Sequence, residues 1–133
     1  MALWETIAAA SQIHRFTFYL DPLVDGQTDA NLAPVEVINP VMPYSGSIVG
    51  LAATADEAAG TGVTTFDAKS DSTQYSIDIS LAAAATNVYA RYAPGRYPIA
   101  AGALLGASYT SGTLGTNAGV RLDVFVLFDD VRS

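Results

Sequence analysis

Cysteine is absent from the chain, so disulfide staples and thiolate metal sites are excluded. Nothing then requires an oxidising compartment, and synthesis in the cytosol is expected. Positive charge is scarce. Arg15, Lys69, Arg91, Arg96, Arg121 and Arg132 are the whole basic complement, and they form no stripe along the sequence. Neutralising nucleic-acid phosphates takes clustered Lys and Arg, so no nucleic-acid partner is expected. The net charge of −7 argues equally against an anionic membrane surface. No apolar run approaches the ~18 residues of a membrane span. The opening residues place Glu5 where a secretory leader would carry basic residues, so they are not read as one.

Charge of either sign is thin: charged residues make up 14% of the chain, against about 25% in an ordinary globular domain. Hydrophobic residues make up 50%. A chain of 133 residues is one domain's worth, with much surface to cover and few charges to cover it. Part of that surface must be apolar or neutral-polar; Ala, Gly, Ser and Thr can make a neutral surface, while large exposed apolar patches mark contact sites. The expected organisation is a single domain over residues 13–133 preceded by an N-terminal arm, residues 1–12.

The dominant signal is a period of two, the repeat of a half-buried strand. In Gln74–Leu81, Tyr75, Ile77, Ile79 and Leu81 alternate with Gln74, Ser76, Asp78 and Ser80. In the last such stretch, Val120, Leu122, Val124, Val126 and Phe128 share one face, while Arg121, Asp123, Phe125 and Leu127 share the other. Its second half is apolar on both faces, which predicts a place central in a sheet or beneath another subunit. Further strands are predicted at Ile13–Leu20, Pro34–Ile38, Ser47–Ala55, Gly62–Ala68, Asn87–Tyr92 and Leu104–Thr110. Turn signals such as Asp25-Gly26, Asp71-Ser72 and Pro94-Gly95 separate them. About eight short strands so spaced predict an all-β fold, a jelly-roll-like antiparallel sandwich.

Residues able to carry chemistry are few. His14 is the single histidine and has no cysteine or Gly-x-Ser-x-Gly partner. The adjacent pairs Asp56-Glu57 and Asp129-Asp130 would point to opposite faces of a strand and form no ready acid–base couple. Asp21, Asp25 and Asp29 lie four apart, which does not match a calcium loop. The glycines between Gly112 and Gly119 lack the lysine and helix of a phosphate loop. No catalytic residue, metal or cofactor is expected, and the protein is not read as an enzyme. Tyr89 and Arg91, two apart in a strand, are expected on one exposed face suited to an interface. The Ala2–Ser11 segment, with Leu3, Trp4 and Ile7 on one side, is expected to serve attachment or subunit clasping. Phe125 and Leu127 are candidates for contact between subunits.

From Ser45 onward the chain resembles a small β-domain of phage structural proteins. The carrying stretches are Gly50–Ala58 (GLAATADEA), Gly60–Phe66 (GTGVTTF), Ala100–Ser111 (AAGALLGASYTS) and the last strand, Arg121–Phe128. A strand with Gly and Ala-Thr precedes an acidic Glu-Ala turn; a Thr-x-Gly-x-x-Thr-Phe strand follows; an Ala-Gly-x-x-Leu-Gly turn opens the penultimate strand. The resemblance implies a trimeric jelly-roll-like sandwich on a phage head or fibre, with no catalytic residues. Residues 1–44 have no place in that pattern, which suits a dedicated decoration protein with its own arm. The expected function is therefore capsid decoration (cement) at the virion surface. The expected partners are itself, as a homotrimer, and the major capsid protein. The alternative is a receptor- or glycan-binding fibre domain, with exposed tyrosines and the Asp21–Asp29 loop as its site.

Overall fold

A computed structural model describes residues 13–34 and 39–129. Eleven strands run in order: β1 (Ile13–Leu20), β2 (Ala30–Asn31), β3 (Ala33–Pro34), β4 (Gly46–Ala55), β5 (Thr64–Ser70), β6 (Thr73–Gln74), β7 (Ile79–Leu81), β8 (Asn87–Arg91), β9 (Pro98–Ile99), β10 (Leu105–Ser111) and β11 (Val120–Phe128). The fold is all-β, with no helix among the described residues. The excess over eight strands comes from two-residue pieces that flank the long strands. Of the strand expected at Pro34–Ile38, β3 takes Pro34, and residues 35–38 lie outside the described residues.

Two antiparallel sheets pack face to face. The larger has the order β3-β1-β11-β4-β8, with β9 extending β4; the smaller has the order β2-β10-β5-β6, with β7 also paired to β5. Each sheet turns one side of its period-two pattern inward. Phe18, Ile48, Leu51, Leu122, Val124 and Val126 of the larger sheet meet Phe66, Ala68, Leu105, Ala107 and Tyr109 of the smaller in one continuous core. Burying a large apolar side chain of this kind contributes about 1.5–3 kcal/mol. β11 lies between β1 and β4 and is the spine of the larger sheet. Its register with β4 slips once, from Phe125↔Gly50 to Val126↔Ile48, leaving Val49 as a bulge.

The continuous strand expected at Gln74–Leu81 is corrected. Only its ends are strand, as β6 and β7; residues 75–78 leave the ladder, and Ser76 and Asp78 take positive φ of 56° and 44°. The cause is Asp67 on β5. Its carboxylate accepts hydrogen bonds from the Ser76 and Ile77 amides and from its neighbour Ala68, at 2.8, 3.1 and 2.8 Å. A side chain here does the work of a strand. The detour inserts two residues between the Lys69↔Gln74 and Phe66↔Ile79 pairs. Because the insertion is even, inward residues stay inward: Ile79 and Leu81 are buried, and Tyr75 and Ile77 pack against the core.

Candidate interface on the outer face of the larger sheet

Directly paired residues of antiparallel strands share a face, so the register fixes what lies on the outside of the larger sheet. Four rows cross it. Ile13 pairs with Leu127 and Leu127 with Ser47. Arg15, Phe125, Gly50 and Arg91 form the second row. Thr17, Asp123, Ala52 and Tyr89 form the third, and Tyr19, Arg121, Thr54 and Asn87 the fourth.

This face is mixed in a particular way. Tyr89 is 71% exposed, and Ile13 and Tyr19 are each 50% exposed. Phe125 and Leu127 are half-buried. Gly50 explains how Phe125 settles there. A Cβ at Gly50 would lie 3.4 and 3.7 Å from Phe125 Cδ2 and Cβ, so the ring lies across the glycine and shields its backbone. Exposed arginines, Arg15 and Arg91, end the Phe125 row on both sides. The third arginine, Arg121, sits 3.3 Å from the Asp123 carboxylate. That carboxylate is buried and also accepts a 2.7 Å hydrogen bond from the Thr17 hydroxyl. Asp123 is the only acid in the four rows, and its charge is already engaged. Three of the protein's six basic residues therefore share one surface with apolar and aromatic groups.

The sandwich end beside this face is acidic. β1 and β4 both run antiparallel to β11, so their following loops emerge together. Asp21, Asp25, Asp56 and Glu57 are exposed there. Asp56 accepts the Gly119 amide at 3.0 Å, and the Asp21 carboxylate also crowds Gly119. An open groove of about 450 Å³, lined by Tyr19, Asp21, Thr54, Asp56 and Arg121, marks the border between arginine face and acidic end.

The candidate residues distribute as follows. Tyr89, Arg91, Phe125 and Leu127 stand on this one face; Leu3, Trp4 and Ile7 lie outside the described residues. Arg121 and Asp123 join them as the alternation of the last strand predicts; Ile13, Arg15 and Tyr19 also join them, which no local pattern indicated, because only strand order brings β1 and β8 onto the surface of β11. Asp25 and Asp29 are occupied with their own fold. Asp25 accepts from the Leu114 amide and the Asn117 side chain, and Asp29 from the Thr110 hydroxyl, so the long loop is tied to β10 and the residues after it. No group of three metal-ligating side chains occurs among the described residues. His14 stacks at a tilt on Phe128, with ring centroids 5.1 Å apart.

On the smaller sheet, burial pushes the Asp67 carboxyl above its ordinary value, and the three amide hydrogen bonds only partly oppose this. A tyrosine cluster lies nearby. Tyr97 meets Tyr75 and Tyr92 edge-on, at 6.4 and 5.1 Å, and Arg96 lies over the Tyr97 ring. The Tyr75 hydroxyl donates to the Pro98 carbonyl, and burial raises its pKa. The Tyr92 hydroxyl is buried without a hydrogen-bond partner among the described residues, and desolvation lifts its pKa to about 12. No family model matches the sequence, and no curated protein matches it.

Proposed function

We propose that this protein is a virion structural protein, a capsid decoration (cement) subunit that binds the assembled phage head and stabilises it. The observation that carries the reading is the outer face of the larger sheet. An apolar and aromatic surface bearing Phe125, Leu127, Tyr89, Ile13 and Tyr19 is uncovered among the described residues, as is expected of a part made to be covered in an assembly. The mechanism is associative and involves no catalysis. A protein that binds only the closed lattice stabilises it by mass action, by RT ln(1 + [L]/Kd) per site. A homotrimer with a jelly-roll-like topology, made in the host cytoplasm and placed at the capsid surface, completes the reading, with the major capsid protein as second partner.

The test is co-sedimentation with purified DNA-free capsids. The expected result is saturable binding and a raised capsid melting temperature. A chain lacking residues 2–11 is expected to bind less while keeping its β-sheet circular dichroism. Absence of binding to any assembled capsid refutes the reading. A receptor- or glycan-binding fibre domain is the second reading. The polar groove on the smaller sheet favours it, since Asn31, Asn39, Lys69 and Asp71 offer the amide, ammonium and carboxylate groups that hold sugar hydroxyls. Binding on a glycan array without binding to capsids would establish that alternative.

A further inference from the structure

Resting on the reading of this chain as an assembly subunit, we propose that the arginine-bearing outer face of the larger sheet docks on the acidic end of a second copy, head to tail. Charge decides between the possible arrangements. In a two-fold pairing the same patch meets itself. Here that would set Arg15 and Arg91 of one copy against the same arginines of the other, with no exposed acid in the four rows among the described residues to receive them. Like charges juxtaposed in an interface disfavour that partner. The complementary surface exists elsewhere on the same molecule: Asp21, Asp25, Asp56 and Glu57 at the sandwich end where β1 and β4 finish. Off this sheet face, Lys69 and Arg96 are the only basic residues among those described, so the remainder of the net charge of −7 is carried by acids. Phe125, Leu127 and Tyr89 supply the apolar centre of the contact; Arg15 and Arg91 flank it and set its polarity. A contact between two different patches propagates from copy to copy and closes into a ring when the rotation allows.

The experiment uses two variants, each with one half of the contact disabled. The first is Arg15→Glu with Arg91→Glu. The second is Asp21→Lys with Glu57→Lys, two exposed acids that accept no hydrogen bond among the described residues, whereas Asp25 and Asp56 hold backbone amides. Masses are read by light scattering after size exclusion, and folding by circular dichroism. The wild type is expected as a closed oligomer and each variant alone as a monomer. An equimolar mixture is expected to associate again as alternating copies, because the intact face of the second variant meets the intact end of the first and the reversed face meets the reversed end. Should charge reversal unfold the first variant, Arg15→Gln with Arg91→Gln removes the charge with a shorter polar side chain and is expected to weaken association about tenfold or more. A mixture that stays monomeric, either variant keeping the wild-type mass, or a monomeric wild type at all concentrations overturns the proposal. Capsid co-sedimentation of the wild type judges the assembly reading separately, since a monomer could still bind a lattice.

Discussion

Replacing Asp67 by alanine removes the acceptor on which three backbone amides depend. The Ala68 amide belongs to a fully buried residue and finds no water, so its loss costs about 1–3 kcal/mol. The Ser76 and Ile77 amides belong to a partly exposed segment, where water replaces the carboxylate at a cost of about 1 kcal/mol each. Relief of the buried charge offsets part of this, because the raised carboxyl pKa shows that burial outweighs the hydrogen bonds in setting ionisation. The sum is a loss of about 3–4 kcal/mol, a large share of an ordinary domain's ~5–15 kcal/mol. Urea unfolding followed by circular dichroism measures it, with an unchanged m-value as the check on two-state behaviour. Asp67→Asn is expected to fall between, since one amide oxygen can keep the Ala68 and Ile77 bonds while its NH2 opposes the Ser76 amide. Acid titration supplies a second readout. A carboxyl whose folded pKa is raised favours the folded state fully below the unfolded value of 3.8, and that contribution is lost as pH rises through the folded pKa. The wild-type stability, taken relative to Asp67→Asn, is therefore expected to decline across that window. A loss under about 1 kcal/mol in Asp67→Ala would refute the claim that this carboxylate replaces a stretch of sheet.

Gly46→Ala is expected to cost about 3 kcal/mol in the same assay. A Cβ there strikes the Leu127 carbonyl and comes within 2.9 Å of the Phe128 Cα, both backbone that cannot turn aside. Tyr92→Phe deletes a buried hydroxyl without a partner among the described residues and is expected to leave stability unchanged or raise it by about 1 kcal/mol. The same variant reports at high pH: with a folded pKa near 12 against 10.0 unfolded, Tyr92 favours the folded state below pH 10, and this is lost as pH rises toward 12. Alkaline unfolding curves of Tyr92→Phe should be flatter over that interval. Phe125→Ala uncovers the Gly50 backbone and loses the buried half of an aromatic side chain, for an expected loss of about 1–2 kcal/mol, together with loss of association on dilution.

Local pattern carried the long strands. The alternations at Ile13–Leu20 and Val120–Phe128 have the limits of β1 and β11, because each strand has one face in the core and a turn at each end. The same alternation misled at Gln74–Leu81. Burial there does alternate, but it does so through left-handed residues, and sequence periodicity reports burial without the backbone conformation that delivers it. Asp and Ser tolerate positive φ better than branched residues, which was the one local hint at Ser76 and Asp78. The face bearing Tyr89 and Arg91 was readable one strand at a time. Its assembly from β1, β11, β4 and β8 was not, because the neighbours pair across most of the chain and nothing local encodes their order. The bulge at Val49 and the support of Gly50 by Phe125 belong to the same long-range pairing.

The β1–β11 pairing also sets how the molecule bears load. Ile13 stands opposite Leu127, so the first and last strands begin and finish side by side at one pole. Tension drawn between those two points lies in line with the hydrogen bonds that join the strands, which run perpendicular to them. The bonds are then opened one pair after another, as in a zipper, and are not sheared all together. Pulled by its two ends, the domain yields easily; pressed or pulled through its broad sheet face, the force spreads over four strands at once. Load taken through the sheet face would therefore leave the fold intact where the same load taken between Ile13 and Leu127 would open it.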